Sequence, residues 1–341
     1  MKGQQQPVFD VAVVGGGSMG TALAKLLGDG GRRVAMWVYE AELADRINET
    51  RANDQFLPGA KLPETVVATS SLERALDGVG TVLSVMPAQF ARSVWAVGAR
   101  HLAEGASIVS ASKGVETGSA QLMSEVLAEA LPGAGGRLAF LSGPSFAKEI
   151  AAGQPTAVVV ASVDADLAAR VQQLVSTSFF RAYTTDDVVG VELGGALKNV
   201  IAIAVGVAEG MGLGLNSRAA LITRGLAEVT RLAVSCGANP LTLSGLAGMG
   251  DLVLTCTGHL SRNLQVGIRL GRGERLDEIL GSMHMVAEGV ATARSALILA
   301  ARRGVEMPIS EAVTRLLDGE TAPGEAVRGL MTRPLRSERE R

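Results

Sequence analysis

At 341 residues, with 47% apolar and 19% charged residues, the chain has enough material for a sizeable core and, by length, about two domains, which excludes a disordered or strongly charged protein. A formal net charge of −2 gives no global attraction for nucleic acid or an anionic membrane, so an anionic ligand must be held by a local site. Residues 1–10 carry no apolar signal core, the run 200–208 is cut by Glu209 and too short to span a bilayer, and Cys236, Cys256, His101, His259 and His284 make neither a disulfide framework nor a metal site.

Short β-branched runs alternate with Ala- and Leu-rich stretches through the first half. Residues 8–14, 33–39, 66–68, 81–85, 107–110 and 138–141 read as strands, with helical patterns at 19–27, 41–49 and 121–130. The alternation predicts an α/β Rossmann-type domain with a mostly parallel sheet. Runs 157–161 and 179–183 flank a helix at 165–175 and extend that sheet. Past residue 188 the pattern changes: 191–209, 218–236, 262–270, 276–280, 290–303 and 309–317 read as helices. The expected division is therefore 1–188 and an all-α domain at 189–341. The run 209–215 reads as a flexible loop and mobile cover, and the charged tail after Met331 as frayed.

Directly after the first strand stands Gly15-Gly16-Gly17-Ser18-Met19-Gly20, a G-x-G-x-x-G that opens a helix. Gly15 permits the tight turn, Gly17 lets backbone amides approach a pyrophosphate, and Gly20 allows close strand–helix packing at a positively polarised helix start. In a chain with 42 glycines the motif alone is weak; its place between strand and helix makes it a dinucleotide site. The second strand ends at Tyr39-Glu40. An acidic residue there accepts hydrogen bonds from the adenine ribose and leans the cofactor toward NAD over NADP, although Glu40 equally suits the first turn of the next helix. Arg32 and Arg33 are the alternative, as partners for a 2′-phosphate.

Three further segments look chemical. Ser112-Lys113-Gly114 and Ser142-Gly143-Pro144-Ser145-Phe146-Ala147 follow strands, where open α/β sheets bind ligands. In the helical half stand Gly194-Gly195-Ala196-Leu197-Lys198-Asn199, Gly250-Asp251 through Cys256, and Ser261-Arg262-Asn263. Each has a plainer reading: Lys198 as a snorkelling surface lysine, Gly194-Gly195 as a helix-packing notch, Ser261 as an N-cap, and Lys148-Glu149 as a solvated pair.

At these motifs the chain resembles the bacterial NAD(P)-dependent glycerol-3-phosphate dehydrogenases. The likeness includes Phe56-Leu57-Pro58, the runs 141–150 (LSGPSFAKEI), 191–201 (VELGGALKNVI), 219–230 (ALITRGLAEVT) and 245–257 (GLAGMGDLVLTCT), and Val286-Ala287-Glu288-Gly289. It implies reversible hydride transfer between NAD(P)H and dihydroxyacetone phosphate, giving sn-glycerol 3-phosphate for glycerophospholipid synthesis. It further implies Lys198 as general acid/base, and substrate contacts from Lys113, Gly143, Ser145, Asp251, Ser261, Arg262 and Asn263, with Asn199 and Thr255 near. Cofactor contacts are implied at Ser18, Met19, Lys113, Ala147, Arg262, Val286 and Glu288, beside Gly15, Gly17, Gly20, Tyr39 and Glu40 at the turn and the second strand. Met19 and Tyr39 depart from the family, which often has an aromatic residue and an Arg or His at these places; Tyr39 removes a 2′-phosphate partner.

The chemistry fits. Alcohol oxidation needs a base, and a lysine, ordinarily near pKa 10.4, serves near neutral pH only when desolvation and a second ammonium such as Lys113 lower it. Arg262 and Asn263 offer donors for the phosphate, while Asp251, an acceptor only, suits a substrate hydroxyl. The expected protein is cytoplasmic, metal-free and not membrane-embedded, binds a small-molecule substrate and no nucleic acid, and has long helices consistent with a homodimer. Two other readings stand beside it: a related dehydrogenase of a 3-hydroxy acid or another sugar phosphate, and a catalytically silent dinucleotide sensor.

Overall fold

The computed structural model describes residues 9–283, 285–335 and 337–338; Val8, His284 and parts of the charged tail named above lie outside them. Eight strands build one sheet: β1 (Val11–Val14), β2 (Val34–Trp37), β3 (Val66–Thr69), β4 (Thr81–Ser84), β5 (Ser107–Ser110), β6 (Leu138–Ser142), β7 (Thr156–Ala161) and β8 (Phe180–Thr185). Their order is β3-β2-β1-β4-β5-β6-β7-β8, parallel throughout except where β7 runs antiparallel to β6. β1, β2 and β5 are buried at every residue, which explains their continuous apolar runs: helices cover both faces of a parallel sheet. β2 is shorter than its sequence pattern, because Val38 and Tyr39 already turn into the next loop.

The covering helices are α1 (Ser18–Asp29), α2 (Ala41–Thr50), α3 (Leu72–Leu76), α4 (Ala88–Gly98), α5 (Met123–Ala130), α6 (Ala147–Ala151) and α7 (Ala165–Val175). The sequence reading does not contain α4. Its buried stripe is Ala88, Ala91, Trp95 and Gly98, three of them too small to raise a hydrophobic signal although their spacing is helical.

From Val188 onward the described chain is helical: α8 (Val188–Gly210), α9 (Leu215–Ser235), α10 (Pro240–Leu243), a π-helical turn (Leu246–Gly250), α11 (Asp251–Thr257), α12 (Arg262–Gly271), α13 (Leu276–Gly281), α14 (Glu288–Arg303), α15 (Pro308–Leu317) and α16 (Pro323–Met331). α8 is the axle. Among the described helices it alone is long and apolar enough to cross a membrane, yet 83% of its apolar window is buried inside the chain. The expected loop at 209–215 contracts to residues 211–214. An ion pair from Arg218 to Glu209 spans that turn.

Two glycine pairs set how closely α8 and α12 approach. A Cβ on Gly206 would lie 2.2 Å from Leu264 O, one on Gly210 2.1 Å from Ile268 O, one on Gly267 2.2 Å from Ile203 O and one on Gly271 2.3 Å from Val207 O. In each case the obstacle is backbone, which cannot rotate away. Gly206→Ala therefore sets a helix-propensity gain of about 1 kcal/mol against an overpacking cost of roughly 1–3 kcal/mol or more. The cost wins, and urea unfolding should show a lower midpoint. The same change at Gly329 in α16, with open space at its Cα, should be neutral or stabilising; equal effects at the two positions would refute the close-contact argument.

Candidate active site

The strand register aligns the carboxyl ends of the parallel strands in one row: Val14 with Trp37 and Ser84, Ser84 with Ser110, Ser110 with Phe140. Strand order reverses at β1, which pairs with β2 on one side and β4 on the other, so the crevice opens at the turn after β1. There Gly15 has φ +125°, and a Cβ on it would lie 2.1 Å from Val85 O. A Cβ on Gly20 would lie 1.8 Å from Gly15 O, whereas one on Gly17 would meet nothing within 4 Å. Gly15 and Gly20 are thus closed against protein and Gly17 faces open space, the shape a pyrophosphate cradle needs. Met19 packs against the core with its side chain, leaving its backbone for the turn. Ser18 Oγ donates to Phe56 O at 2.6 Å and lies 3.1 Å from Met285 Sδ.

Tyr39, 80% exposed, and Glu40, also exposed, stand on the same edge. Glu40 is the N-cap residue of α2 but makes no side-chain bond to the helix, so its carboxylate is available to a ribose. Arg32 and Arg33 precede β2 and sit at the opposite edge, on the order of 20 Å away along the strand. Arg33 is held there by Asp10 at 2.6 Å. The 2′-phosphate role considered for these two arginines is thereby corrected: the strand between them and the crevice is too long.

The second group of residues converges from five elements. Lys113 follows β5, Gly143 and Ser145 follow β6, Lys198 and Asn199 lie on α8, Asp251 opens α11, and Ser261-Arg262-Asn263 begin α12. Gly194 and Gly195 let α8 reach this place: a Cβ on Gly194 would lie 2.6 Å from Ala247 O in the π-helical turn, and one on Gly195 2.7 Å from Ser142 Oγ at the end of β6. One turn further along α8, Lys198 comes out beside Asp251.

Asp251 is 1% exposed and binds both lysines. Its Oδ1 accepts from Lys198 Nζ, and its Oδ2 accepts from Lys113 Nζ at 2.7 Å. Lys113 Nζ also donates to Gly143 O at 3.2 Å, which Ser145 Oγ reaches at 2.8 Å. Asp251 thus holds two ammoniums in place, with one donor on each oxygen, and each oxygen keeps a lone pair for the substrate hydroxyl expected there. Burial lowers Lys198 to about 8; the Asp251 charge opposes the shift and Lys113 adds to it. Burial would raise the Asp251 carboxyl, but the ammoniums of Lys113 and Lys198 carry it below the ordinary carboxylate range.

At the start of α12, Ser261 Oγ caps the helix by accepting from Leu264 N at 3.2 Å, which leaves its hydroxyl proton to donate. Arg262 is exposed, and its Nη1 donates to Val286 O at 2.8 Å. Asn263 is more committed than its sequence suggests. Its Oδ1 accepts from Gly289 N and its Nδ2 donates to Asn199 Oδ1, both at 2.9 Å, so one N–H remains for a ligand. Thr255 Oγ1 is bonded back to Asp251 O at 2.6 Å.

Glu288 bridges the two halves of the chain. Its Oε1 accepts from Ala88 N at 3.2 Å, while its Oε2 is buried without a hydrogen-bond partner, as is Thr292 Oγ1. Burial pushes this carboxyl up to about 7 against the Ala88 amide and the Arg262 charge. Val286 is 44% exposed two residues away, and Ala147 opens α6. Lys148 and Glu149 are exposed. Sequence reasoning missed the π-helical turn that aims Asp251, the Asn263–Asn199 pair, and Asn53 behind the glycine turn. The asparagine contacts join separate segments, and the turn lies within the run 245–257 without a residue pattern that marks it as π-helical.

Comparison with known proteins agrees with this geometry. Residues 10–168 match the family described as NAD-dependent glycerol-3-phosphate dehydrogenase N-terminus, and residues 187–328 its C-terminus. Glycerol-3-phosphate dehydrogenase [NAD(P)+] of Geobacter sulfurreducens is 54% identical over 330 residues, covering 96% of this chain and 98% of that protein. The crystal structure of glycerol-3-phosphate dehydrogenase from Coxiella burnetii is 38% identical with a TM-score of 0.91, covering 95% of this chain and 99% of that one. The enzyme of Saccharomyces cerevisiae, 28% identical, has a TM-score of 0.79 over 94% of this chain and 98% of its own.

Proposed function

The chain belongs to the NAD-dependent glycerol-3-phosphate dehydrogenase family, and on that premise we propose that it interconverts sn-glycerol 3-phosphate and dihydroxyacetone phosphate with NAD or NADP. The observation that carries the reading is Asp251 bridging Lys113 and Lys198 at the carboxyl edge of the sheet. Residues 1–188 hold the cofactor and 189–341 supply the acid/base and phosphate groups. Gly15, Gly17, Ser18, Met19 and Gly20 cradle the pyrophosphate, and Tyr39 and Glu40 face the adenine ribose. Lys113, Ala147, Arg262, Val286 and Glu288 border the nicotinamide side. When bound, the nicotinamide supplies or accepts the hydride.

The chain's own residues handle the proton and the charge. In oxidation, neutral Lys198 takes the proton of the substrate's secondary hydroxyl; in reduction, protonated Lys198 returns it to the forming alkoxide. Lys113, held by Asp251 and Gly143 O, places positive charge where that oxygen gains negative charge. Arg262, Ser261 and the remaining Asn263 N–H direct donors at the phosphate. We place the enzyme in the cytoplasm as a homodimer, supplying glycerol 3-phosphate for glycerophospholipid synthesis. The burial of α8 within the chain and the soluble-enzyme chemistry of the site support that placement.

The test is turnover of dihydroxyacetone phosphate with NADH and with NADPH, followed at the nicotinamide absorbance band. No turnover with either, by enzyme that binds them, overturns the reading. Because Lys198 is lowered to about 8, reduction should hold its rate below that pH and decline above it. Oxidation should rise with pH to the same point and level off. Profiles without an inflection near there would remove Lys198 from the proton transfer.

A further inference from the structure

We infer that Asn53, a residue in no motif, is a positioning residue that aims the glycine turn at the dinucleotide; the inference rests on the turn being the cofactor cradle proposed above. Asn53 is 1% exposed and lies 37 residues beyond Gly16, after α2. Both of its amide protons are used behind the turn. Nδ2 donates to Gly16 O at 2.8 Å and to Thr21 Oγ1 at 2.8 Å, and Thr21 Oγ1 donates to Gly16 O at 3.4 Å. The network fixes which end of the amide is nitrogen, since an oxygen in that place would face the Gly16 carbonyl.

The consequence follows from peptide geometry. In a planar trans peptide the C=O of one residue and the N–H of the next point in opposite directions. With the Gly16 carbonyl drawn into the protein by Asn53 and Thr21, the Gly17 N–H is held toward the other side. The space beside Gly17 is also open, since an added Cβ there would meet nothing within 4 Å. Gly16 is closed from the flank as well, because a Cβ there would lie 2.6 Å from Val38 Cγ1. Asn53 is itself anchored: its backbone carbonyl accepts from Phe56 N and Leu57 N at 3.2 and 2.7 Å. Phe56 O in turn accepts from Ser18 Oγ at 2.6 Å. The segment 53–57 thus holds the turn at two points, one before and one after Gly17. A flexible glycine turn otherwise loses conformational freedom on meeting its ligand; one already aimed does not.

A merely structural Asn53 would affect unfolding and leave cofactor affinity alone, so affinity is the measurement. NADH and NADPH are titrated against the whole protein by fluorescence, with thermal unfolding recorded in parallel. Asn53→Leu keeps the volume and removes both donors; the dissociation constants for both dinucleotides should rise about tenfold to a hundredfold, as expected for one lost hydrogen-bond anchor. The two should rise by the same factor, because the pyrophosphate is common to both, and the kinetic loss should fall on cofactor KM rather than on kcat. Thr21→Val, which keeps the shape and removes the relay hydroxyl, should raise both constants several-fold and serves if the Asn53 variant does not fold. Unchanged affinity in a folded variant, with only a lower melting temperature, overturns the inference. Failure of the unaltered protein to bind either dinucleotide would instead overturn the reading of the turn, and the inference with it.

Discussion

Lys198→Met lowers turnover by roughly a hundredfold to ten-thousandfold, the span attributed to a positioned general acid/base, while NADH affinity stays within about twofold of the parent. The asymmetry follows from where Lys198 sits. It is buried on α8 against Asp251, on the substrate side of the crevice, whereas the glycine turn lies after β1. Methionine preserves the apolar stem and removes the ammonium, so packing is retained. Stability adds an independent check. A lysine lowered to about 8 by burial disfavours the folded state while it is protonated. That cost is fully present below about 8 and is relieved as pH rises toward the unfolded value near 10.5. Removing the ammonium should therefore leave stability at neutral pH unchanged or raised, with Asp251 still paired to Lys113. Turnover within tenfold of the parent, or loss of NADH binding, would assign Lys198 a different part.

Features that depend on neighbours in sequence were readable before the structure. β1, the glycine turn and α1 form one continuous stretch in which strand pattern, turn glycines and helix pattern follow one another, and β7 and β8 flank α7 in the same way. Lys113, Lys198 and Asp251 could be named, each standing in a distinctive run. That desolvation and Lys113 lower Lys198 was also readable. The bridge that Asp251 makes between the two lysines was not, because those contacts join residues 138 and 53 positions apart, and a sequence shows only the acceptor capacity of Asp251. The π-helical turn was equally hidden. Leu246–Gly250 packs against α8, where a Cβ on Gly194 would lie 2.6 Å from Ala247 O, and α11 carries Val253, Thr255 and Thr257, whose β-branching weakens a helical signal. Arg33 misled for another reason: the strand over 33–39 was read, but its length, which places Arg33 and Glu40 at opposite edges, was not set against their closeness in sequence.

Asp251→Asn should produce a second large effect, of a different kind. The substitution keeps the shape, removes the only carboxylate paired with Lys113 and Lys198 among the described residues, and turns one acceptor into a donor facing an ammonium. Breaking a buried charge pair from one side typically destabilises by about 3–5 kcal/mol, because a charge is left uncompensated. Lys198 has a way to relieve this that Lys113, more exposed, needs less: it can give up its proton. The attraction of Asp251 is what holds Lys198 as high as about 8 against burial and Lys113. In Asp251→Asn the inflection in both pH–rate profiles should therefore move below about 8, and the plateau rates should fall, since a weaker base with a displaced Lys113 beside it serves the transition state less well. Combining Asp251→Asn with Lys198→Met separates the two consequences. Lys198→Met should stabilise the Asp251→Asn background by more than it changes the parent, because there it removes an unpaired ammonium, so the two effects should not add. Activity should not recover, because the proton carrier is gone with it. Strictly additive effects on stability would mean that the two residues do not share one electrostatic site, and an unmoved inflection in Asp251→Asn would mean that another group sets the titration.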